Sequence, residues 1–104
     1  MIVYGLKTCD SCRKALKSLP GAEFRDVQDG LPEAVARAAA AQFGDRLVNR
    51  QSATWRGLDE AARARDPLDL VAAHPKVMKR PLIDAGGALH LGWGRDVRQA
   101  LAVE

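Results

Sequence analysis

Apolar positions along the chain follow two patterns: short unbroken runs near both ends and helical repeats between them. Met1, Ile2, Val3 and Tyr4 form a run closed by Gly5, which predicts a buried strand. From Asp10 to Leu19, Cys12, Ala15, Leu16 and Leu19 recur at helical spacing with Arg13, Lys14 and Lys17 on the other side, and Pro20-Gly21 is the stop. Ala22 to Val27 sets Phe24 and Val27 among charged residues and predicts a second strand. The opening is therefore a βαβ unit, and the rules for such connections predict a right-handed parallel pair.

The middle of the chain changes period. Pro32 to Phe43 is rich in alanine, carries Pro and Glu in its first turn and ends at Gly44, all of which favour helix. A second helix is expected over Leu58 to Arg65. A third starts at Asp66-Pro67, a capping residue followed by a first-turn proline, and stops at His74-Pro75. Beyond it, Leu82 to Asp84 and Ala88 to Leu91 are short apolar runs separated by Ala85-Gly86-Gly87, a hairpin signal because glycine tolerates positive φ. A last helix is expected over Asp96 to Leu101. The order β-α-β, helices, β-β-α predicts an α/β fold on a small mixed sheet, in one domain over residues 1–104 with a helical insertion at about 31–76.

Composition narrows the function classes. At 104 residues with 47% hydrophobic content, the chain has material for one modest core. No apolar run approaches the roughly 20 residues that span a bilayer, and no presequence pattern opens the chain, so no membrane role is expected and the expected compartment is the cytoplasm. Sixteen Lys and Arg against thirteen Asp and Glu give a net charge of +3. Those cations, including Arg37, Arg46, Arg50, Arg63, Arg65 and Arg98, are scattered among acids and alanines, which fits a small anionic substrate better than a nucleic acid.

Cys9 and Cys12, three positions apart in "YGLKTCDSCRKAL", carry the candidate chemistry. The strand, short loop and helix put Cys9 at the helix N-cap and Cys12 in its first turn. A thiolate at Cys9 can accept from the amides of Ser11 and Cys12 and feels the positive end of the helix dipole, which lowers a thiol's pKa. Lys7 and Arg13 add positive charge, and Asp10 opposes them. Cys12 shares the apolar side with Leu16, so it suits resolving a mixed disulfide better than starting an attack. Two other readings compete: plain packing, since free Cys is often buried, and half of a zinc site. The second lacks a further ligand pair, because His74 and His90 are far apart and not in ligand spacing, so no metal is expected. The stretch "KRPLID" offers a partner for the cysteine loop, with a proline entering a strand that would expose the backbone of Arg80 beside it.

Taken in order, "YGLKTCDSCRKAL", "TWRGLDE" and "KRPLID" followed by "LGW" resemble the arsenate reductase (ArsC) family, in particular its short YffB-like branch, with the Spx regulators as cousins. The resemblance spans nearly the whole chain. It implies a thioredoxin-like fold, a cis peptide before Pro81, and Cys9 as the nucleophile. It also implies that Arg56 and Arg80 hold an oxyanion or the glutathione carboxylates, as the fixed donor fork of a guanidinium suits them to do. Arg95 in "GWGRD" is a looser match to a further family arginine, and a solvated arginine at a helix start is the competing reading. True arsenate reductases of this type resemble one another in lacking the second cysteine, and Asp10 beside the nucleophile would repel arsenate.

The expected activity is therefore a glutathione-dependent thiol/disulfide oxidoreductase with no bound cofactor. Glutathione is its co-substrate, glutaredoxin a candidate partner, and Lys7, Arg56, Arg80 and Pro81 frame the substrate, a small oxyanion or a disulfide. Two alternatives stand beside it: an Spx-like redox-sensing regulator that binds RNA polymerase, and a true arsenate reductase. Trp55 is expected to pack beneath its loop rather than to stack on a ligand, with Asn49, Arg50 and Thr54 as further candidates for a pocket lining.

Overall fold

The computed structural model describes residues 1–103, and the chain divides into two compact units, residues 1–29 with 80–104 and residues 30–79. The first carries the sheet. Strand β1 (Ile2–Gly5) pairs in parallel with β2 (Glu23–Asp26) across helix α1 (Asp10–Ser18), as the opening pattern predicts. On its other side β1 pairs antiparallel with β3 (Leu82–Ala85), which continues through a hairpin into β4 (Ala88–Leu91), giving the order β2-β1-β3-β4. The hairpin closes as its glycines require: Gly86 and Gly87 have φ of 63° and 97°, and the Gly87 amide donates to the Asp84 carboxylate at 2.7 Å.

Register sorts the strand residues by face. Val3 lies opposite Ile83, and both join Ala15 and Leu19 of α1 in a core completed by Val97. Val97 belongs to the last α-helix of the chain, which spans Arg95–Ala100, one residue earlier at each end than its pattern suggests. Leu16, Ala22, Trp93, Leu101 and Val103 pack around that core. Tyr4, Leu82 and Leu91, aligned in the alternate register, are buried as well, so the short apolar runs fit a sheet shielded from solvent on both faces.

The second unit is helical. Helix α2 (Glu33–Phe43) ends at Gly44, followed by a 3-10 turn over Gly44–Leu47. Two single-turn helices come next, α3 (Ala53–Arg56) and α4 (Glu60–Arg63), and then α5 (Pro67–Ala73), which packs against α2. The last helix of the chain, Arg95–Ala100, is thus α6. The helix expected over Leu58 to Arg65 contracts to one turn, because Asp59 caps it by accepting the Ala62 amide and so fixes its start. Helix α3 has no counterpart in the sequence pattern. One turn contains no apolar repeat, and its marker is Ser52, whose hydroxyl accepts the Trp55 amide at 3.1 Å.

Candidate functional site: a thiol pair at the start of a helix

The loop between β1 and α1 is shaped by backbone bonds. The Cys9 amide donates to the Leu6 carbonyl, closing a turn over Lys7 and Thr8, and the Cys9 carbonyl accepts the Arg13 amide as the first bond of the helix, both at 3.1 Å. The Arg13 side chain folds back and donates from Nε to the Lys7 carbonyl at 2.8 Å. Cys9 is the N-cap residue, in extended conformation, and its partly buried thiol stands at the positive end of the nine-residue helix α1.

Opposing influences act on the Cys9 thiol. Partial burial pushes its pKa up, but the Cys12 amide, the Cys12 thiol as donor, and the hydrogen bond and charge of Arg80 outweigh that push, leaving the pKa below the ordinary thiol value. The thiol closes no short capping bond, so the Cys12 amide acts on it as an oriented dipole of the helix start rather than as a conventional cap. Lys7, Arg13 and Asp10, the charges that the sequence places nearest, are not among the main influences. Arg13 is committed to the Lys7 carbonyl, and Asp10 pairs with Lys14 at 3.1 Å along its own helix.

Cys12 is the inverse case. Its side chain is fully buried, and burial is the main reason that its pKa rises to about 12; the Leu6 amide works against this, while the Cys9 thiol and its charge add to it. The burial has a specific cause. Gly5 at the end of β1 lies so close to Cys12 that a Cβ built there would fall on the Cys12 Sγ, so the absence of a side chain at position 5 lets strand and helix approach.

Arg80 reaches this site from the strand side. The Arg80–Pro81 peptide is cis, and the buried Pro81 accepts the Gly92 amide at 2.8 Å, tying the entry of β3 to the residue after β4. The structure thus brings together Cys9, Cys12 and Arg80, with Pro81 next in the chain. The side chains of Lys7 and Arg95 are exposed in the same unit, Arg95 as the first residue of α6. Arg56 is exposed at the end of α3, in the helical unit. Trp55, beside it, is half-buried, with the guanidinium groups of Arg50 and Arg63 each 5.6 Å from its ring centroid. Arg63, which no sequence signal singles out, also donates to the carbonyls of Trp55 at 3.3 Å and Arg56 at 3.0 Å. Among the described residues, no group of three or more His, Cys, Asp or Glu could hold a metal ion, and no helix is long and apolar enough to cross a membrane.

Comparison with known proteins extends the picture. An uncharacterised protein of Haemophilus influenzae is 38% identical over 108 residues, covering 94% of this chain and 95% of its own. A solved structure of a YffB protein is 31% identical with a TM-score of 0.80, covering 95% of this chain and 96% of that one. The solution structure of an arsenate reductase (ArsC) related protein from Brucella melitensis is 30% identical with a TM-score of 0.66, covering 95% and 91%. The ArsC family matches residues 4–101, which include the cysteine loop, the helical unit and the Arg80–Pro81 turn; the chain belongs to the ArsC family and has its thioredoxin-like fold.

Proposed function

We propose that the protein is a glutathione-dependent thiol/disulfide oxidoreductase in which Cys9 is the nucleophile. The observation that carries this reading is the asymmetry of the thiol pair: Cys9 is partly accessible with a lowered pKa, and Cys12 is buried with its pKa pushed up to about 12. Only the thiolate attacks, so near neutral pH the reactive group is Cys9. Its sulfur attacks the glutathione sulfur of a mixed disulfide, forming a Cys9–glutathione disulfide while the other sulfur leaves as a thiolate and takes a proton from water. The thiolate of a second glutathione then attacks that glutathione sulfur, which regenerates the Cys9 thiolate and releases oxidised glutathione. One free glutathione is consumed for each mixed disulfide reduced, and it leaves in oxidised glutathione joined to the glutathionyl group taken from the substrate, so the cycle closes without a bound cofactor.

Burial disfavours Cys12 as the resolving group, since its thiolate is the costly form even after the charge on Cys9 is lost to a disulfide. In this reading Arg80 stabilises the Cys9 thiolate, and Lys7 and Arg95, exposed in the same unit, receive the glutathione carboxylates. Intact mass measurement after incubating the reduced protein with oxidised glutathione tests the scheme. A single glutathione adduct that Cys9→Ser abolishes and Cys12→Ser retains is expected; an unchanged adduct in Cys9→Ser would falsify the nucleophile assignment. Arsenate offered in the same assay with glutathione and glutaredoxin separates the substrate classes, with no turnover above the Cys9→Ser control expected.

A further inference from the structure

Three exposed cations stand beside acids of their own element: Lys14 pairs with Asp10 at 3.1 Å, Arg37 with Glu33 at 2.8 Å, and Arg25 with Glu23. One concavity of the helical unit departs from this. An antiparallel bridge between Val48 and Met78 is flanked by two 2.8 Å bonds, from the Asn49 amide to the Val77 carbonyl and from the Lys79 amide to the Leu47 carbonyl. Around that floor Arg46, Asn49, Arg50, Gln51, Lys79 and Asp45 line an open cleft of about 590 Å³. Three cations there face one carboxylate.

The cleft is also held in shape. The Arg46 guanidinium lies 5.4 Å from the Phe43 ring centroid and that of Arg50 5.6 Å from the Trp55 ring. A ring face attracts the cation without consuming its N–H donors, so such an arginine is placed yet can still bind an anion. The Asn49 side-chain carbonyl accepts the Gln51 amide at 3.0 Å, and the Asn49 backbone carbonyl accepts the Ser52 hydroxyl at 2.7 Å, which fixes the loop that carries these groups. An ordinary solvated basic face would show its cations diverging or matched to acids; here they share one concavity with two amide side chains.

We propose that this cleft is a binding site for a small ligand carrying two or more phosphate groups. Guanidinium forks, an ammonium and amide N–H donors match tetrahedral oxyanions, and the volume exceeds what one phosphate fills. The site uses none of the thiol residues, so it stands or falls apart from the redox chemistry. Inorganic pyrophosphate titrated into the whole protein, followed by calorimetry and by amide shifts of Asn49 and Gln51, is the test. Saturable binding that weakens with added salt is expected, with at least about tenfold lower affinity in the Arg50→Gln/Lys79→Gln double variant at unchanged melting temperature. Lys79→Gln alone, a change at an exposed side chain, moves affinity in the same direction. Absence of saturable binding, full affinity in these variants, or citrate binding as tightly as pyrophosphate would each overturn the proposal.

Discussion

Two residues separate two thiols with opposite tendencies, and the cause is local. Cys9 stands where a helix begins and Arg80 approaches; Cys12, in the first turn, is enclosed. That Cys9 is the thiol with the lowered pKa is legible in the sequence, because a helix start after a short loop predicts both the amides and the dipole. Which charge acts on it is not, since Lys7 and Asp10 are neighbours in the chain whereas Arg80 is brought in by the pairing of β1 with β3. The distinction yields a prediction. Replacing Arg80 with Gln removes a hydrogen bond and a positive charge that favour the thiolate, so the pH profile of Cys9 alkylation by iodoacetamide moves to higher pH. Lys7→Gln leaves the midpoint where it is. If the two variants shift equally, the charge acting on Cys9 is diffuse and Arg80 has no special part.

At the scale of elements, the contact between β1 and α1 turns on Gly5 and Cys12. A glycine ending an apolar run reads as a strand stop, and nothing in the sequence reveals that its missing Cβ makes room for a sulfur from the following helix. The overlap predicts that Gly5→Ala destabilises the protein by roughly 1–3 kcal/mol, the usual cost of overpacking a core. In a Cys12→Ala background the sulfur is gone and the same substitution costs less. Denaturant unfolding of the four proteins measures this coupling, and additive effects would rule out the contact as the cause. The same limit on legibility explains α3. Long segments such as α2 announce themselves by composition and stops, while a single turn around Trp55 depends on one serine cap and on Arg63 reaching back to its carbonyls.

For the whole molecule, element order and family motifs fix the architecture, and the family match over residues 4–101 agrees with them. Energetics at this scale is another matter, because burial of an ionisable group shows only in the assembled core. Cys12 keeps its proton in the folded state up to about 12, whereas the unfolded chain releases it near the ordinary value of 9.0. Above 9.0 the unfolded state therefore binds fewer protons than the native one, and stability falls as pH rises through this window, by up to roughly 4 kcal/mol if no other group intervenes. Cys9 has the opposite sign: its lowered pKa stabilises the fold above the unfolded thiol value, and that contribution fades as pH falls through the folded one. Urea unfolding of the wild type and Cys12→Ala between pH 8 and about pH 11 separates the two effects. Removing the Cys12 side chain lowers stability at pH 8 by leaving a small cavity, yet the variant loses less than the wild type on going alkaline, so the two curves converge. Parallel curves would mean that Cys12 titrates alike in both states and is not the buried thiol of the structure.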